Sequence, residues 1–327
     1  MFLFIYILQY NINITYTYIH IIMEFNDLTK PFTDEQKIGS FIYLQNYMIE
    51  KIEKKEPFFI GRLSGNEPNL CGKVLTNIKL DNRLLHEMLT TAGIQMSSKD
   101  DIKQYVKLYI NSCKHSSILS IWSGGMYSQA KSYYDFLDRM YPQQKRICAS
   151  SLEPFYFVDH PNYKFNNIFK NKKVLIITSH KETTIKQLEH HTTIFNKPIF
   201  HESTEFHIYK PTQQNGGNHD SKSWTVHFEK MKRDLFELNK IFDFDIALVS
   251  CGGFGMILSD YIYSELNKST MYIGGGLQLY FGIIGNRWKT HPIISKLFND
   301  KWINVLDEDK PPTLSSNPRL CENSCYW

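Results

Sequence analysis

Two stretches decide the fold. One is Asp245-Ile246-Ala247-Leu248-Val249-Ser250, which runs into Cys251-Gly252-Gly253-Phe254-Gly255. The other is Thr270-Met271-Tyr272-Ile273, which runs into Gly274-Gly275-Gly276. Each is a short apolar run that stops at a glycine turn, with a helical pattern beyond. Short continuous apolar runs suit strands buried on both faces, as in parallel sheets. The same rhythm occurs earlier. Val174-Leu175-Ile176-Ile177-Thr178 precedes Ser179-His180-Lys181 and a helix through Gln187. Ile118-Leu119-Ser120-Ile121-Trp122 precedes Ser123-Gly124-Gly125 and a helix over 126–140. Phe58-Phe59-Ile60-Gly61-Arg62-Leu63 runs into the loop Ser64-Gly65-Asn66-Glu67-Pro68. Strands alternating with helices predict an α/β, Rossmann-like fold: a mostly parallel sheet with helices on both faces. Such sheets bind ligands beyond the carboxyl ends of their strands.

Further helices are predicted over 33–56, where Thr33 is a plausible N-cap and Pro57 a stop, and over 84–91, 100–113 and 223–241. The stretch 213–222, with Asn215, Gly216, Gly217 and Asn218, reads as an exposed loop. No internal repeat or low-complexity linker divides the chain. Residues 23–306 are expected to form a single domain, and 307–327, with Pro311, Pro312 and Pro318, an irregular surface tail. The first 22 residues carry no Lys, Arg, Asp or Glu, and Gln9, Asn11, Asn13, Thr15, Thr17 and His20 interrupt their apolar run. They lack the basic start and small-residue cleavage site of a signal peptide. They are read as translated upstream sequence before a start at Met23, in preference to a membrane anchor.

The chain has 327 residues, 42% of them apolar, so a sizeable core can be buried. Its formal net charge of +4 is too small and too dispersed to predict nucleic-acid binding. The lysine clusters at 51–55 and 170–173 read as solvated surface. Cys71, Cys113, Cys148, Cys251, Cys321 and Cys325 follow no disulfide-framework spacing, and no second pair completes a zinc motif beside Cys321 and Cys325. Free thiols and a cytoplasmic location are expected.

The candidate chemistry lies at the strand ends. The turn Gly252-Gly253-Phe254-Gly255 either presents backbone N–H groups to an anion or simply lets a helix pack on the sheet. It is neither a dinucleotide fingerprint nor a P-loop. Gly274, Gly275 and Gly276 form a similar turn on the next strand, and two such turns side by side favour phosphate. Gln278 follows, as a ligand partner or a helix-surface residue. Arg287 is a candidate bidentate partner for a diphosphate, and Trp288 a stacking surface or a core residue. Glu67 is a candidate base or cation ligand, or a capped, solvated carboxylate. His180 and Lys181 close another strand.

The run Ile273-Gly274-Gly275-Gly276-Leu277-Gln278-Leu279-Tyr280-Phe281-Gly282-Ile283-Ile284-Gly285-Asn286-Arg287-Trp288 resembles the signature of a GT-D-like domain family found in bacteria and giant viruses. The segments from Arg62 to Glu67 and from Phe242 to Gly255, and Cys325-Tyr326-Trp327, resemble further pieces of it. The resemblance implies a glycosyltransferase that moves a sugar from a nucleoside-diphosphate donor to an acceptor hydroxyl. It implies a donor site on Arg62, Gly252, Gly253, Gly255, Gly274, Gly275, Gly276, Gln278 and Arg287, with Glu67 as base or metal ligand; His180 and Lys181 join the candidates from their place at a strand end. Characterised members bind a divalent cation, Mn²⁺ or Mg²⁺, through an Asp-x-Glu motif. Here Gly65 stands at the aspartate position, and Arg287 with Lys181 could offset diphosphate charge in its place. The alternatives are a non-catalytic nucleotide-sugar-binding protein and another Rossmann-like transferase such as a methyltransferase.

Overall fold

Neighbouring residues of the central strands enter two different cores. Val174 and Ile176 join one apolar cluster, and Leu175 and Ile177 join another. That alternation is what a strand covered on both faces requires. The computed structural model describes Phe25, residues 27–317, Cys321 and residues 324–327. The expected start at Met23, the stretch before it and Pro318 lie outside the described residues.

Seven strands form the central sheet: β1 (Phe59–Arg62), β2 (Ile118–Ile121), β3 (Arg146–Cys148), β4 (Lys173–Thr178), β5 (Glu205–Tyr209), β6 (Ile246–Ser250) and β7 (Ser269–Tyr272). Their order is β3-β2-β1-β7-β6-β4-β5, and every pairing is parallel. The α/β, Rossmann-like expectation therefore holds. On one face Phe41, Leu44 and Met48 of the helix Asp34–Glu53 pack with Ile60, Ile118 and Ile147. On the other, Tyr105 and Tyr109 of Lys99–His115, Met231 and Leu235 of Trp224–Phe242, and Ile257 and Leu258 of Gly255–Ser264 pack with Phe59, Leu119 and Ala247.

Local signals act as read in several places. Thr33 caps its helix, accepting from the Gln36 N–H at 3.2 Å while the Gln36 side chain accepts from the Thr33 N–H at 2.9 Å. The pattern expected as one helix over 126–140 breaks at Ala130 into Gly125–Gln129 and Lys131–Met140. A small parallel pair, β8 (Ile283–Ile284) and β9 (Ile303–Asn304), lies outside the main sheet. All six cysteines are free thiols. Among the described residues no helix is long and apolar enough to cross a membrane.

The described residues from 307 onward are packed into the fold. Asp309 is 1% exposed and accepts from the Thr183 N–H and hydroxyl, both at 2.7 Å, and from the Glu182 N–H at 3.2 Å. It thereby closes the start of the helix Lys181–Gln187, whose first N–H groups have no partner within the helix. Lys210 pairs with the same carboxylate at 3.2 Å. Further along, Cys325 and Trp327 are buried.

Candidate functional site

A cleft of about 390 Å³ opens at the carboxyl edge of the sheet. Its size suits a small-molecule site. Its walls come from the segments after β1 (Arg62 to Glu67), β4 (Ser179, His180), β5 (Pro211 to Asn215), β6 (Cys251, Gly252, Phe254) and β7 (Gly274, Gly275), together with Arg287, Tyr326 and Trp327. Residues far apart in sequence meet here because parallel strands all deliver their carboxyl ends to one edge.

Of the residues singled out in the sequence, Arg62, Glu67, His180, Gly252, Gly274, Gly275 and Arg287 line this cleft. Gly253, Gly255, Gly276, Gln278 and Lys181 are not among its lining residues. Lys181 sits close enough to His207 to oppose that ring's protonation. Gln278 is 3% exposed, and its amide donates to the Ile283 carbonyl at 3.1 Å. Trp288 belongs to the core.

The first glycine turn is a packing device. A Cβ on Gly252, whose φ is +56°, would lie 2.6 Å from the Ala92 carbonyl oxygen. The Gly253 N–H already donates to that oxygen at 2.8 Å, so it is not available to a phosphate. A Cβ on Gly255 would lie 1.9 Å from the Tyr272 ring. These glycines bring the turn against Ala92 and Tyr272, the packing alternative left open by the sequence.

The second glycine turn has a different task, because each of its three glycines makes room for one side chain. A Cβ on Gly274 would lie 2.4 Å from Arg62 Nη1, one on Gly275 2.2 Å from Tyr326 Cε1, and one on Gly276 3.2 Å from Glu153 Oε1. The turn therefore makes room for Arg62 and Tyr326, which line the cleft, and for Glu153, which lies behind its lining. Arg62 stacks on Trp122, its guanidinium 5.0 Å from the ring centroid. Arg287 lies 4.5 Å from the Tyr326 ring centroid and bonds Cys325 Sγ at 2.7 Å. Both guanidinium groups are thus held beside an aromatic ring by cation–π attraction. Gly275→Ala is expected to displace Tyr326 and with it Arg287. Anion affinity should then fall several-fold while β-sheet circular dichroism stays intact; unchanged affinity would show that Tyr326 does not position Arg287.

Glu67 is 4% exposed and accepts a short hydrogen bond from the Ser64 hydroxyl. Burial raises its pKa, while the Ser64 bond, its own backbone N–H and Arg62 pull the other way. It is the one carboxylate among the cleft's described lining residues. No three His, Cys, Asp or Glu side chains among the described residues converge to hold a metal ion. With Gly65 beside it and Ser64 bonded to one of its oxygens, Glu67 is the one side-chain carboxylate here, so a divalent cation would need further oxygens from ligand phosphates and water.

Sequence reading missed Glu153, which lies in a 3₁₀ turn between Leu152 and Pro154 with no motif around it. Burial pushes its carboxyl up to about 7, although Arg62 and Arg287 both favour ionisation. His180 is 5% exposed, and burial lowers its pKa to about 4, so the ring is neutral at physiological pH. Comparison with protein-family models, curated proteins and solved structures finds no match for this chain.

Proposed function

We propose that the cleft binds a nucleoside diphosphate and that the protein is a glycosyltransferase, moving a sugar from that carrier to an acceptor hydroxyl. What carries the reading is the convergence of two ring-stacked arginines and one buried carboxylate beyond the ends of β1 and β7. Arg62 and Arg287 supply charge-assisted hydrogen bonds to the diphosphate and to the negative charge that grows on it as the sugar leaves. Glu67 takes the proton of the acceptor hydroxyl. The acceptor oxygen forms its bond to the anomeric carbon, and the carbon–oxygen bond to the diphosphate breaks with its electron pair. Burial that raises the Glu67 pKa makes it a better base once ionised.

A non-catalytic nucleotide-sugar-binding protein is the second reading, favoured by the low exposure of Glu67 and its engagement with Ser64. Incubation with a panel of nucleotide sugars separates the two. The transferase reading expects slow donor hydrolysis in the absence of acceptor, abolished by Glu67→Gln with donor affinity kept. Donor binding with no hydrolysis or transfer, in wild type and variant alike, would support the binding protein.

Glu153 gives this site a pH dependence. Below about 7 its carboxyl is protonated and adds no negative charge beside Arg62 and Arg287; above, its charge competes with the ligand for them. Pyrophosphate affinity is expected to fall as pH rises from 6 to 8, beyond the change due to the ligand's own protonation. Glu153→Gln should flatten that fall. A slope identical in wild type and variant would contradict it.

A further inference from the structure

Arg62 has a neighbour that lies outside the cleft wall. Trp122, the residue after β2 (Ile118–Ile121), is half-buried and is not among the lining residues. Its ring nevertheless lies 5.0 Å from the Arg62 guanidinium. The sheet brings the two together: Arg62 pairs with Ser120 in the β1–β2 register, and Trp122 follows two residues later.

The ring is itself tied down. Its indole N–H donates to the Leu63 carbonyl at 2.8 Å, and Leu63 is the residue next to Arg62. The Leu63 N–H donates in turn to the Ser120 carbonyl at 2.9 Å. The Trp122 backbone N–H donates to the hydroxyl of Tyr134 at 3.2 Å, and Tyr134 is 1% exposed. Ring and guanidinium are therefore fixed to the same pair of strand ends. Arg62 Nη1 also fills the room left by Gly274, where a Cβ would lie 2.4 Å from it. Glu67 and Glu153 sense the Arg62 charge through space. Attraction at a distance does not orient a guanidinium, whereas an aromatic ring and a close-fitting slot do. A long side chain that is fixed before the ligand arrives loses less freedom on binding.

We propose that Trp122 is a positioning residue of the site, holding the Arg62 guanidinium in place for the diphosphate without touching the ligand. The indole bond to Leu63 sets the ring, and the ring sets the arginine. This rests on the diphosphate reading of the two arginines and extends it to a residue behind the cleft wall.

The test is a mutant cycle, read by calorimetric titration of the full chain with pyrophosphate and with UDP as the nucleoside diphosphate. Wild type, Trp122→Phe and Trp122→Leu are each compared with and without Arg62→Ala. With Arg62 present, Trp122→Leu should weaken both ligands about tenfold, and Trp122→Phe, which keeps a ring but loses the bond to Leu63, about threefold. In the Arg62→Ala background the three side chains at 122 should give affinities within about twofold of one another. A residue that only supports the fold would not show this dependence on Arg62. Thermal unfolding confirms that each variant is folded. If Trp122→Leu is not, the Trp122→Phe pair with and without Arg62 decides. Equal losses in both backgrounds, or no loss in folded variants, would overturn the positioning role while leaving the diphosphate site in place. Wild type that binds neither ligand, or Arg62→Ala that binds both as well as wild type, would overturn both readings.

Discussion

Arg287→Ala is expected to weaken UDP binding by at least tenfold. The guanidinium packs on the Tyr326 ring, 4.5 Å from its centroid, bonds Cys325 Sγ at 2.7 Å, and lines the cleft from the segment beyond β7. A hydrogen bond to a charged group contributes about 1.5–3 kcal/mol, and a bidentate fork makes two. Loss of even one exceeds the tenfold threshold. Arg62 remains on Trp122 in the variant, so binding should be weakened and not abolished, and raised salt should reduce what is left. Titration at fixed ionic strength measures it. Wild-type affinity in a folded Arg287→Ala variant would remove this residue from the ligand's path.

Asp309→Ala should cost about 3–5 kcal/mol of stability, the usual cost of removing one partner from a buried ion pair. The carboxylate serves four donors, the Thr183 N–H and hydroxyl, the Glu182 N–H and Lys210 Nζ. Its loss leaves the N–H and O–H of Thr183, itself 0% exposed, without an acceptor and uncaps the helix that follows His180. Chemical denaturation should show the drop, and UDP should restore part of it by binding the native state. A loss below about 1 kcal/mol would mean that water replaces these bonds, as at an ordinary surface cap.

The strands that were legible in the sequence were those buried on both faces. Ile246–Ser250 and Lys173–Thr178 are almost wholly buried, and burial on both sides enforces an unbroken apolar run. The edge strands gave no such signal. β3 is only Arg146–Cys148, and β5 alternates exposed Glu205 and His207 with partly or fully buried Phe206 and Ile208. The strand ends also placed Arg62, Glu67, His180, Gly252, Gly274, Gly275 and Arg287 at one edge. Glycine was the ambiguous letter. Close approach to a ligand, to Ala92 or to Tyr326 demands the same missing Cβ, and only coordinates tell these apart. Glu153, Gln213, Tyr326 and Trp327 carry no periodic or motif signal that aims them at the site. Long-range packing places them, Glu153 against Gly276 behind the cleft lining and Tyr326 against Gly275 within it.

The proposed diphosphate site requires Arg62 and Arg287 together. The most direct measurement is a competition titration with UDP and pyrophosphate on wild type and on the Arg62→Ala/Arg287→Ala double variant. The expected result is a single site per chain on which pyrophosphate displaces UDP, stabilised by about 2.7 kcal/mol at ligand near 100 times its Kd, with both ligands lost in the double variant. Binding that survives removal of both arginines, or UDP and pyrophosphate that bind without competing, would contradict it.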